Sequence, residues 1–162
     1  MSNLDYQFFY RRNLPHYQPR GATFFITFRL AGSLPKVIVE RLVDEAREIE
    51  KRLAQIVDPH ERSRQADLEQ HRLFGKWDAA LAASCTGPQW LKDERLATLL
   101  YHSLQCRAGE VYELDAFCIM SNHAHLVCQP TLQTDGEYHS LSRIMHSLKI
   151  HTALEGNGLL NR

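Results

Sequence analysis

His123, His125 and the Asn122 that precedes them are the residues whose types and spacing could do chemistry. They lie in Tyr112–Pro130, YELDAFCIMSNHAHLVCQP, which reads as two short apolar strands joined at Ser121-Asn122. Side chains on a strand alternate faces, so His123 and His125 point one way while Ala124 and Leu126 point the other. Two imidazoles on one face, one residue apart, can share a divalent metal ion. They can also be hydrogen-bonded polar residues on a half-buried strand, because a three-residue pattern is short. Two imidazoles alone would make a weak, unselective site, since hard Mg²⁺ prefers oxygen donors and keeps several waters.

Other chemistries for a His-x-His are excluded by neighbouring residues. A histidine-triad nucleotide hydrolase would need a third histidine on the same strand face, and position 127 is Val. The His-Glu-x-x-His of a zincin helix and the Gly-x-Ser-x-Gly elbow of a serine hydrolase do not occur. Cys85, Cys106, Cys118 and Cys128 have no CxxC or zinc-site spacing. Cys118 and Cys128 fall in apolar strand segments, where a thiol behaves as a small hydrophobe.

The elements that must position the histidines follow from periodicity. Residues 1–21 read as an extended arm, because Pro15, Pro19 and Gly21 oppose a helix. Arg11-Arg12-Asn13 within it could contact phosphate or form a solvated turn. From Ala22 to Leu30, Phe24, Ile26, Phe28 and Leu30 alternate with Thr23, Phe25, Thr27 and Arg29, the mark of a strand. The first set would face a helix layer, and the second suits a face that is partly exposed or meets a ligand. Phe25 could stack on a base, but core packing is its expected job.

Pro35 opens a helix whose apolar stripe is Ile38, Leu42, Ala46 or Ile49, and Leu53 or Ile56, with a mixed-charge outer face. Asp58-Pro59 breaks it. Residues 60–84 look helical again, with Leu73, Phe74, Trp77 and Leu81 inside. Gly87-Pro88 starts a further helix to about Cys106. After the hairpin, a helix is expected from about His139 to Leu154, stopped at Gly156-Asn157-Gly158. Leu141, Ile144, Met145 and Leu148 share one arc of it, with His139, Arg143, His146 and Lys149 on the other. That second arc fits DNA contact or a solvated basic face.

A chain of 162 residues suits one domain, and 44% hydrophobic with 23% charged residues is the composition of a globular protein. No apolar run approaches the ~20 residues of a membrane span, and the first residues lack signal-peptide order, so a cytoplasmic location is expected. Net charge is zero, which does not announce a nucleic-acid binder. Basic residues nonetheless gather at the two ends of the chain, which permits a basic groove on a neutral protein. Two adjacent strands flanked by helices suggest an α+β sandwich on an antiparallel sheet.

DAFCIMSNHAHLVCQP resembles the "A-x-x-I-M-P-N-H-x-H-L-L" hairpin of the HUH single-tyrosine transposases. RRNLPHYQPRGATFFITFRLAGSLP and LSRIMHSLKIHTA resemble blocks of one branch, the REP-associated tyrosine transposases, and the likeness covers about four-fifths of the chain. It implies an HUH, ferredoxin-like core over residues 22–154, in a single domain spanning 1–162 with a helical insert at about 58–86. It implies that His123 and His125 hold Mg²⁺ or Mn²⁺ against a phosphate of single-stranded or hairpin DNA. It places Arg11, Arg12, Asn13, Asn122, Arg143, His146 and Lys149 as candidate DNA contacts. In the family a tyrosine on a helix beyond a further strand attacks the phosphate. Tyr6, Tyr10, Tyr17, Tyr101, Tyr112 and Tyr138 do not align with it, Tyr138 coming nearest. The expectation is therefore a domain without its last strand and nucleophile helix. Alternative outcomes are a non-catalytic DNA-hairpin binding module and an inactive, incompletely folding remnant.

Overall fold

The computed structural model describes residues 9–11, 15–17 and 19–161, the first two segments through their backbone alone. In the arm, β1 (Phe9–Arg11) pairs antiparallel with β2 (Pro15–Tyr17), Phe9 opposite Tyr17. The described parts of the arm are extended, as expected, and pair with each other. Pro15 is compatible with the pairing as the first residue of its strand, where no ladder donor is required.

The described residues divide into two compact units, one holding 9–11, 15–17, 19–29 and 89–161 and the other 30–88. The first contains the sheet. Its strands are β3 (Phe24–Arg29), β4 (Tyr112–Ile119) and β5 (His123–Pro130), in the order β3-β5-β4 with both pairs antiparallel. The α+β class and the antiparallel sheet are as expected, with β5, the histidine strand, at its centre. Between Leu114 and Ala116 the β4–β5 register shifts, so that Asp115 is the extra residue of a bulge.

Alternation sorts the two faces. Ala124, Leu126 and Cys128 of β5 are fully buried and join Tyr112 in a core with Leu100, Leu104, Ile144, Met145 and Leu148. The last five belong to α3 (Glu94–Gln105) and α4 (Leu141–Leu159), so both helices cover this face. Ile26 and Phe28 pack against the same core, as the strand periodicity requires. His123 and His125 therefore lie on the sheet face turned away from α3 and α4.

Two helix boundaries differ from those expected. α3 begins at Glu94, not at Gly87-Pro88, because Asp93 caps it by accepting from the Arg95 amide, after a single 3-10 turn at Trp90–Lys92. α4 runs through Gly156 and Gly158 to Leu159. Gly156 is buried, and a Cβ there would lie 3.4 Å from Leu96 of α3, so this glycine serves helix packing rather than termination.

The second unit is a helical hairpin of α1 (Lys36–Ala54) and α2 (Pro59–Ala83). Asp58 caps α2 through the His60 amide, and Pro59 takes the first helical position, where its missing N–H costs nothing. Leu42, Ala46, Ile49 and Leu73 form its core, with Ile38, Leu53 and Trp77 partly buried against them. Phe74, expected inside, is exposed. Glu45 meets Lys76 and Arg72 across the hairpin, and the Lys76 hydrogen bond foremost holds its carboxyl below the usual range. Exposed pairs of this kind contribute little to stability.

Candidate metal centre

The register of the sheet assembles the site. β5 carries His123 and His125 on one face, and β3 sets Arg29 opposite His123 and Thr27 opposite His125. Directly opposed residues share a face in an antiparallel pair. The imidazoles meet edge to face, ring centroids 4.7 Å apart, with their Nε2 atoms 3.1 Å from each other.

Each ring is held from behind. Asn122 Oδ1 lies 2.6 Å from His123 Nδ1, and Thr27 Oγ1 lies 2.8 Å from His125 Nδ1. His123 is 2% exposed and Asn122 3%, so this first hydrogen bond is out of water. A side-chain oxygen at Nδ1 fixes the ring orientation and directs Nε2 towards a ligand, the usual outer support of a metal-binding imidazole.

Two proton arrangements are consistent with these contacts. The carbonyl of Asn122 can only accept, so His123 Nδ1 carries the proton and Nε2 a lone pair. If the Thr27 hydroxyl donates to His125 Nδ1, then His125 Nε2–H donates to His123 Nε2 and a hydrogen-bonded chain results. If Thr27 accepts instead, two Nε2 lone pairs lie 3.1 Å apart, which is favourable only with a cation shared between them. The two imidazole donors and their spacing thus fit a divalent metal ion.

Other candidate residues fall elsewhere. Arg12 and Asn13 lie outside the described residues, and Arg11 is placed through its backbone at the end of β1. Asn122, expected among the DNA contacts, is buried, and the structure gives it the orienting role on His123. Arg143, His146 and Lys149 are exposed together along α4 while Ile144, Met145 and Leu148 are buried. Since α4 covers the opposite sheet face, this row is not brought together with the histidines.

Phe25, expected in the core, is 56% exposed and shares the histidine face, its ring centroid 5.3 Å from that of His125. Cys118, expected as a buried hydrophobe, is exposed opposite His125, whereas Cys128 is buried as expected. Periodicity alone puts Thr27 and Arg29 on a ligand-facing side, but their pairing with the histidine strand needs the sheet order to reveal it.

Tyr112 is fully buried on the other face, donates its hydroxyl to the Leu104 carbonyl at 2.7 Å, and burial pushes its pKa up to about 12. Tyr138 is held against Gly21, where a Cβ would lie 2.8 Å from the phenolic oxygen. Tyr101 lies on α3 against His102 and Phe117. Tyr10 and Tyr17 are placed by backbone alone, and Tyr6 lies outside the described residues.

Comparison with protein-family models, with curated proteins and with solved structures finds no match.

Proposed function

We propose that the chain binds single-stranded or hairpin DNA through a divalent cation held by His123 and His125, as a transposase-family protein of the REP-associated HUH single-tyrosine type. The observation that carries the reading is the convergence of two Nε2 atoms, each ring fixed at Nδ1 by a side-chain oxygen. Mg²⁺ or Mn²⁺ bound there would supply a Lewis acid to a phosphoryl oxygen. The chain's own part is to orient the two imidazoles and to set Arg29, a cationic residue, opposite His123 on the same strand face. No tyrosine of residues 1–162 is assigned the nucleophile's role, so the reading is of metal-dependent DNA binding.

The separation of Arg143, His146 and Lys149 from the histidines favours a second reading. In it, α4 binds the backbone of a DNA hairpin without help from the metal, and the chain is a non-catalytic binding module. One titration separates the two. A fluorescein-labelled DNA hairpin with a single-stranded loop is titrated by fluorescence anisotropy in Mn²⁺ and in EDTA. The metal reading predicts tighter binding in Mn²⁺ for the wild type and no such gain for His123→Ala with His125→Ala. Equal affinity in EDTA, lost on changing Arg143 and Lys149 to Ala, would replace it with the second reading.

A further inference from the structure

Phe25 is the least expected side chain on the histidine face. Its strand neighbours Phe24, Ile26 and Phe28 are half-buried, while Phe25 is left 56% exposed. Exposed aromatic surface costs roughly 25 cal/mol per Å² relative to its burial, so the position gains little in folding from a phenyl ring. The ring sits beside His125, tilted 38° to the imidazole at a centroid distance of 5.3 Å. Met120, 41% exposed, donates its amide to the His123 carbonyl at the turn of the same hairpin. One sheet face therefore combines the paired Nε2 atoms of His123 and His125, a cationic residue in register with His123, and an exposed aromatic ring.

An anion with a flat π surface one sugar away answers all three features. A nucleotide of an unpaired strand has that form. A duplex does not, because its bases already stack on each other. We infer that Phe25 is a stacking platform for an unpaired base adjoining the phosphate at His123 and His125, and that it makes the site selective for single-stranded over double-stranded DNA. The inference rests on the metal-and-DNA reading of the histidines. Ring-on-base stacking is tolerant of base identity and is worth about 5- to 150-fold in affinity per base when the aromatic is removed. Phe25 touches the base and takes no part in holding the ion.

The test uses a single-stranded oligonucleotide carrying one 2-aminopurine, whose fluorescence falls when it stacks, with Mn²⁺ present. Wild type should quench the probe on saturation. Phe25→Leu should bind about 5- to 150-fold more weakly and leave the probe bright, with Mn²⁺ affinity unchanged and duplex binding unmoved. A Phe25→Leu protein that binds and quenches like wild type would overturn the inference. Phe25→Trp is the second variant, since its indole can stack and report for itself. Trp emission unaltered at saturation would overturn the inference even if the leucine variant did not fold. Wild type that takes up Mn²⁺ but no oligonucleotide would instead remove the DNA reading on which the inference stands.

Discussion

Replacing Asn122 by Ala isolates what the support behind a ligand contributes. The 2.6 Å hydrogen bond to His123 Nδ1 is buried, so water cannot substitute for the lost oxygen. Two costs follow. His123 Nδ1–H is left without that acceptor, which should lower folding stability by about 1–3 kcal/mol. The imidazole also loses its orientation, and loss of such an outer partner typically weakens metal binding about 10- to 100-fold, or about 1.4–2.8 kcal/mol. Isothermal titration with Mn²⁺ reads the second, and urea denaturation of metal-free protein reads the first. Asn122→Asp, of similar shape with a stronger acceptor, should bind Mn²⁺ at least as tightly as wild type and so excludes a general loss of fold. A folded Asn122→Ala protein with Mn²⁺ affinity within about twofold of wild type would refute the reasoning.

Thr27→Val removes the hydroxyl behind His125 at nearly constant volume, and Mn²⁺ titration should show about a 10-fold loss or more. Alkaline pH should destabilise the fold through Cys128 and Tyr112. Burial foremost raises the thiol to about 11 and the phenol to about 12, so the folded chain keeps protons that the unfolded chain releases. The stability is fully present below the unfolded values of about 8.5 and 10 and is lost as pH rises through the folded ones. Urea midpoints should therefore be level from about pH 7 to 8 and fall above about 9, less steeply in Cys128→Ala. In the helical hairpin, Gly75 is exposed within α2, and a Cβ there would meet no atom of the described residues within 4 Å. Gly75→Ala should therefore add about 1 kcal/mol. Gly87→Ala should instead destabilise by about 1–3 kcal/mol, since its φ is +85° and a Cβ would lie against the Gly32 carbonyl oxygen. Thermal denaturation distinguishes the two signs.

Short-range periodicity carried most of what was legible in the residues. Alternation in HAHLVCQP separated histidine face from core face, and the structure buries Ala124, Leu126 and Cys128 accordingly. The 3.6-residue stripe of α1 and the Asp58-Pro59 break were equally local. What could not be read depended on partners distant in sequence. Thr27 becomes a support for His125 only because β3 pairs with β5 across nearly a hundred residues, and the fixed register sets the two opposite each other. Gly156 looked like a stop because a glycine lacks helix propensity, but the close approach of Leu96 gives it a packing role that keeps α4 going. Phe25 looked like core because phenylalanine usually is. Its exposure depends on which face of the sheet the helices cover. Asn122 was legible as a site residue, though whether it faces a ligand or a ring depended on the turn geometry.

Whether His123 and His125 hold the ion is read by a Mn²⁺ titration followed by NMR on protein labelled at the histidine rings. There are nine histidines, and paramagnetic Mn²⁺ broadens those nearest to it first. The ring protons of His123 and His125 should broaden together at substoichiometric Mn²⁺, before those of His102, His139, His146 or His151 change. Broadening that starts at other histidines, or spreads evenly over all of them, would contradict that placement of the ion.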